Sequence, residues 1–216
     1  MNLHIPFIPV CILSGFTVEG TTGFNLDCLM FKPGKEPGSV RAFALDGHSI
    51  LEFYFHSGLG GGESFEPFSV NLNEVVKTSK FNKRSNPYVD IIFSDSSDEL
   101  EITTDFGVSL TAKKRGGVVD TDPMWDAIQK NSEKGLPQDG NLFSIPWKAY
   151  KNFFFDKYYP KVTPIFERYG EMTLVRYPVE SVDFPYPAQG ICMQMGIVCS
   201  ENDRSDYNTE PKPYWV

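Results

Sequence analysis

The residues best equipped for chemistry are scattered along this chain. His4, His48 and His56 are its three histidines, and only Asp46 and Glu52 lie near the latter two. That is not the clustered donor set a metal centre requires, so no metal is expected. No Gly-x-Ser-x-Gly elbow is present, and Cys11, Cys28, Cys192 and Cys199 have apolar neighbours and no Cys-x-x-Cys spacing. An activated nucleophile therefore has no obvious seat, and neither enzymatic activity nor a cofactor is expected. Gly58 to Gly62 is glycine-rich but lacks the Gly-Lys-Ser/Thr ending that binds nucleotide phosphates, so it reads as a flexible hairpin tip. Asp95, Asp98 and Glu99 form a solvated corner between strands.

What remains is a pattern of basic residues. The 216-residue chain has 20 Lys+Arg against 28 Asp+Glu, a net charge of -8. The balance argues against simple coating of nucleic acid, but the placement of cations decides binding, and theirs is uneven. Residues 1–60 carry only Lys32, Lys35 and Arg41, whereas Lys77, Lys80, Lys83, Arg84, Lys113, Lys114, Arg115, Lys130, Lys134, Lys148, Lys151, Lys157 and Lys161 follow. Lys77 and Lys80 flank the apolar Leu72, Val75 and Val76 on an expected helix, with Lys83 and Arg84 beyond its end. Lys148 and Lys151 share one side of a second expected helix. Both sets suit phosphate contact, and both also suit an ordinary solvated face. Phe153, Phe154 and Phe155 read as core rather than as base-stacking platforms.

Stepping from these residues to the elements that carry them, the pattern is mostly strand and turn. Apolar stretches at Phe24 to Phe31, Val40 to Leu45 and Ser49 to His56 are divided by the turns at 32–38 and Asp46-Gly47. Asn71 is placed to cap a short helix ending near Asn82. Val89 to Phe93, Glu99 to Thr104 and Gly107 to Ala112 read as three further strands. Residues 119–140 are polar, with Pro123 and Pro137, and read as a linker that is partly helical around Met124 to Gln129. A helix is expected over Trp147 to Tyr159, strands over Met172 to Tyr177 and Gly190 to Cys199, and a polar tail over 201–216. The class is α+β, and 41% hydrophobic with 14% aromatic residues excludes a mainly disordered chain.

Ile5 to Phe16 is the longest early apolar stretch. It is broken by Pro6 and Pro9 and has neither a basic leader nor a cleavage site, so no signal peptide and no membrane span are expected. With cysteines that read as buried thiols, a cytoplasmic location follows as the expectation.

The order of elements and particular residues converge on a family. Residues 24–53, FNLDCLMFKPGKEPGSVRAFALDGHSILEF, resemble the middle domain of the bacterial DNA polymerase III β sliding clamp, in which two apolar strands around a turn lead into an Asp-Gly-His turn. Leu3-His4-Ile5-Pro6 is similar to the strand-to-helix entry of each clamp domain, and the likeness extends to about residue 115. Phe143-Ser144-Ile145-Pro146 looks like the start of a second module. Leu45 stands where the family usually has threonine, and Ser49 where it has arginine.

The resemblance implies a DNA-clamp-like module of antiparallel sheets with short helices packed on one face at 1–118, and a divergent or incomplete second one at 141–200. It implies a non-enzymatic processivity or tethering factor that closes into a homo-oligomeric ring around duplex DNA. Lys77, Lys80, Lys83, Arg84, Lys148 and Lys151 would meet the phosphates. Leu45, Gly47, His48 and Ile50 would line a groove for polymerase or clamp-loader peptides. A β-rich structural or protein-interaction module of virion or adhesion type, without DNA binding, stands as the alternative.

Overall fold

A computed structural model describes residues 2–20, 23–56, 65–79, 88–93, 98–133, 151–155, 157–169, 172–178 and 185–193. The chain forms two compact units. The first comprises Met1–Asp46 and Tyr54–Val119, the second Gly47–Phe53 and Asp120–Val216.

The first unit opens with strand β1 (Asn2–Pro6) and helix α1 (Phe7–Ser14). Every α1 residue from Phe7 to Leu13 is buried, as an all-round apolar helix requires. Pro9 is accommodated because the first-turn amides have no intrahelical acceptor. Strands β2 (Leu29–Pro33), β3 (Ser39–Leu45) and β4 (Ser49–His56) follow, the last ending in this unit. After them come β5 (Phe68–Val70), helix α2 (Asn73–Thr78), β6 (Tyr88–Phe93), β7 (Glu99–Thr104) and β8 (Ser109–Lys113).

One four-stranded antiparallel sheet has the order β1-β6-β7-β8, and β5-β2-β3 lie side by side in another. The chain thus runs through β-α-β-β-β twice, and the first strand of each run joins the sheet of the other run: β1 pairs with β6, and β5 with β2. This exchange interlocks the halves around one core. Leu3, Ile5, Val89, Ile91, Leu100 and Ile102 fill one side of it. Phe31 stacks on Phe68 with ring centres 5.2 Å apart, and α1 packs against α2, β2 and β3. Each fully buried aromatic or large aliphatic side chain contributes about 1.5–3 kcal/mol of transfer free energy.

Several element boundaries differ from those expected. The expected strand at Phe24 starts only at Leu29, because Phe24 and Asn25 occupy the left-handed region at φ 55° and 54° within a 3₁₀ turn. α2 starts at Asn73: the Asn71 side chain accepts the Asn73 amide proton at 3.0 Å and so closes a turn ahead of the helix.

The second unit is built on residues Ser49–Phe53 of β4, which pair with β11 (Ala188–Met193). β11 pairs with β10 (Met172–Arg176), and β10 with β9 (Ile165–Tyr169). Helix α3 (Asp122–Glu133) lies in the segment expected as a linker and extends beyond the helical part anticipated there. Its Trp125 and Ile128 are fully buried against Tyr169, Leu174 and Ile191, with Met124 and Met172 at the margin.

Polar residues also lie on this face. Trp125 Nε1 donates to Glu52 Oε2 at 3.3 Å, while Arg176 Nε and the Tyr169 hydroxyl donate to Glu167 Oε2 at 2.7 and 2.9 Å. Burying this ion pair is tolerated because its carboxylate has several donors.

The opposite face is covered by residues expected as a helix. Lys151–Phe153 makes a single 3₁₀ turn, and the described residues among 154–159 carry no α-helix. Burial explains the correction. Phe153 and Phe155 both sink into the sheet, Phe155 stacking on Tyr177 at 4.6 Å, and the Tyr177 hydroxyl donates to the Phe153 carbonyl at 2.8 Å. A two-residue repeat of buried rings is incompatible with a helical face. Residues 141–150 and 194–216 lie outside the described residues, including the start of that expected helix, the end of the last expected strand and the polar tail.

Candidate functional site

Lys77 sits on the last turn of α2, exposed, with Nζ 2.6 Å from Glu19 Oε1. The shared hydrogen bond and the opposite charges lower the Glu19 carboxyl and raise the Lys77 ammonium relative to their ordinary values. α1 carries no charged side chain, and α2 adds Glu74 in its first turn. The described part of these two helices therefore presents one lysine whose charge is already engaged by an acid.

Lys80, Lys83, Arg84 and Lys148 lie outside the described residues. Lys151 is exposed on the 3₁₀ turn of the second unit, whereas Lys77 belongs to the first. Two lysines outside the expected set are also exposed in the second unit: Lys157, with Nζ 5.0 Å from the Tyr158 ring centre, and Lys161. Phe153, Phe155, Tyr159 and Val162 anchor this stretch in the core. Its lysines were legible as charge, but their exposure follows from the irregular backbone that holds the rings.

The Asp46-Gly47-His48 turn joins β3 to β4. Gly47 has φ 90°, which a glycine adopts without steric cost. Gly47 and His48 are exposed, whereas Leu45 and Ile50 are 9% and 2% exposed and contribute to the core. The accessible part of the expected groove is thus the turn itself.

Sequence reasoning missed the cluster around Asp27. Its carboxylate is nearly buried and receives Arg115 Nη1 at 2.9 and 3.0 Å, the Asn71 amide at 3.4 Å and the Cys28 thiol at 3.5 Å. Burial alone would raise this carboxyl, but hydrogen bonds from Arg115 and Cys28, the Arg115 charge and the Asn71 bond outweigh it and hold it below the ordinary value. Burial foremost, then the Asp27 charge, pushes the Cys28 thiol up to about 12. With Asp27 and Arg115 88 positions apart, no local spacing could have announced the pair. Among the described residues, no group of three or more His, Cys, Asp or Glu is placed to hold a metal, and no helix is long and apolar enough to cross a membrane.

The interlocked β-α-β-β-β runs have the fold of the DNA polymerase III β clamps, as comparison with solved structures shows. The Thermotoga maritima DNA polymerase III β subunit superposes with a TM-score of 0.54 at 11% identity, over 94% of this chain and 66% of that one. The Streptococcus pneumoniae β chain gives 0.53 at 9% identity, over 94% and 67%. A Helicobacter pylori β clamp bound to a DNA ligase peptide gives 0.51 at 9% identity, over 94% and 68%. The chain spans about two thirds of the length of these clamps. No protein-family profile and no curated protein matches its sequence.

Proposed function

We propose that this chain is a sliding-clamp-type tether: a non-enzymatic protein that self-associates into a ring around duplex DNA and offers the Asp46-Gly47-His48 turn to a polymerase or loader peptide. The observation carrying the proposal is the exchange of first strands between two β-α-β-β-β runs, in a chain that superposes on a β clamp over 94% of its length. The ligase peptide bound by the Helicobacter clamp supports the peptide part. Retention on DNA would come from Lys77, Lys80, Lys83, Arg84, Lys148 and Lys151, with Lys157 and Lys161 adding to the charge; such contact is independent of sequence and weakened by salt.

The test is solution mass by light scattering, then retention on nicked circular against linearised DNA. A closed oligomer held only on the circle is expected, as is loss of retention when Lys77→Glu is combined with Lys151→Glu. A monomer that retains neither DNA, or undiminished retention by the double variant, refutes the electrostatic ring. His48→Ala should weaken a bound clamp-interacting peptide without unfolding the chain, and unchanged affinity would move the peptide site elsewhere.

A second reading is a protein-interaction module without DNA binding. It is favoured by α1 and α2, whose described residues offer only the Glu19-paired Lys77 as a cation.

A further inference from the structure

β5 is three residues long, and its middle residue faces away from β2. Ser69 turns both backbone groups to the open side of the strand. There the Ser69 amide donates to the Arg115 carbonyl and the Arg115 amide to the Ser69 carbonyl, each at 2.8 Å. The open side of β5 is therefore a one-residue strand-docking position, filled by this chain's own Arg115.

The three residues at this position are held by a specific set of groups. The nearly buried Asp27 carboxylate takes the Arg115 guanidinium, and the Asn71 amide donates to the same carboxylate. Asn25 Nδ2 donates to the Gly116 carbonyl at 2.6 Å and the Gly117 carbonyl at 3.4 Å, and the Ser69 hydroxyl to the Arg115 and Gly116 carbonyls at 3.3 and 3.4 Å. Gly117 has φ 76°, and a β-carbon there would stand 3.2 Å from the Asn25 amide nitrogen. Phe24 and Asn25 adopt left-handed backbone, which non-glycine residues keep only when their surroundings impose it. Apart from the guanidinium, these contacts reach only backbone atoms of residues 115–117. The site reads one cationic planar side chain and, two positions on, a glycine, whereas a β-carbon at Gly116 would meet open space.

We propose that Asn25, Asp27, Ser69 and Asn71 form a binding site for an Arg-x-Gly segment, occupied in cis by Arg115–Gly117 and able to accept the same motif from another protein when the cis segment is displaced. A tethered occupant competes at the millimolar effective concentration of a short linker, so the intact chain keeps the site closed against weak competitors.

The Ser69 amide reports occupancy, because its acceptor is the Arg115 carbonyl. In full-length Arg115→Ala, hydrogen exchange at Ser69 should rise at least tenfold while the amides of β2 and β3 keep their protection. A synthetic Ala-Lys-Lys-Arg-Gly-Gly-Val peptide should restore protection, and the same peptide with alanine for arginine should not. The wild-type chain should bind the arginine peptide at least tenfold more weakly than the variant. Unchanged Ser69 exchange, or equal restoration by both peptides, overturns the proposal. Loss of β2 and β3 protection together with Ser69 also overturns it, by making residues 115–117 part of the core. Arg115→Lys keeps the charge and is read in the same way should Arg115→Ala not fold; about a threefold rise in Ser69 exchange is expected, and none refutes the site.

Discussion

Gly190→Ala tests the most consequential correction to the expected fold, the packing of residues 151–155 as an irregular segment on β11. A β-carbon on Gly190 would stand 2.5 Å from Phe153 Cε1, 3.2 Å from Cδ1 and 3.1 Å from the Ile50 carbonyl oxygen. Neither neighbour can easily give way. Ile50 is backbone in the partner strand, and the fully buried Phe153 ring stands edge-on to Phe166 at 6.1 Å, with its own carbonyl tied to Tyr177. Overpacking of this kind costs about 1–3 kcal/mol. The reduced freedom of the unfolded chain returns about 0.4–1 kcal/mol, leaving a net loss of roughly 1–2 kcal/mol. For a chain of this size the thermal midpoint should fall by about 2–8 °C, at roughly 2–4 °C per kcal/mol. The assay is thermal or urea denaturation of Gly190→Ala, Phe153→Leu and the double variant. Phe153→Leu makes room where the new methyl needs it, so the double variant should be more stable than additivity predicts by about 1 kcal/mol or more. An unshifted midpoint for Gly190→Ala, or strict additivity in the double variant, would show that Phe153 does not lie over Gly190.

The Asp27–Arg115 pair makes stability depend on pH with a definite sign. Because the folded carboxyl lies below its ordinary value, its contribution is present above about pH 4 and is lost as pH falls through the folded value. Asp27→Asn should cost about 1–2 kcal/mol at pH 7, discounted for the part-exposed guanidinium, and the gap to wild type should close below pH 4 in urea titrations; a gap independent of pH contradicts this linkage. Trp125→Phe removes the indole donor from the buried Glu52 and should lower stability by about 1–3 kcal/mol, read as a shifted urea midpoint, whereas an unshifted midpoint would mean that Glu52 does not rely on it. Cys28, buried and with its thiol at about 12, should resist iodoacetamide at pH 8 in the native chain and react only after unfolding, as mass spectrometry of its peptide would show.

The strands around the Asp46-Gly47-His48 turn were legible because turn chemistry and alternating burial are local properties of the chain. β7 and most of β3, β4 and β6 fall where periodicity put them for the same reason. The exchange of β1 and β5 between sheets was not legible, since pairing partners so far apart in the chain, such as Asn2 with Ile92 and Leu29 with Val70, leave no mark on a single strand's pattern. β9 went unseen because Glu167 sits mid-strand on a buried face, and only Arg176 and Tyr169 make that burial tolerable. The helix expected from Trp147 failed beyond Lys151 because three consecutive phenylalanines satisfy any apolar template, and tertiary burial chose alternate rings. Of the candidate DNA and peptide residues, charge and turn type could be read directly. The pairing of Lys77 with Glu19 and the burial of Leu45 and Ile50 depended on distant segments.

One strand of this chain serves two cores. β4 gives Ser49–Phe53 to the second unit, where Phe53 lies 5.9 Å ring to ring from Phe155, and its last residues to the first, where Tyr54 donates to Glu36 at 3.0 Å. No single cut in the sequence therefore releases either unit whole. A fragment ending at Val119 keeps Ile50, Leu51 and Phe53 but loses the residues that cover them, and a fragment starting at Asp120 keeps β11 and β10 but loses β4, the other neighbour of β11. During synthesis, Ser49–Phe53 must wait for β11, more than 130 residues later, before its partner in the second unit exists. In evolution, too, the halves cannot be exchanged as separate cassettes: a recombination that swaps one must carry over a strand lodged inside the other's sequence.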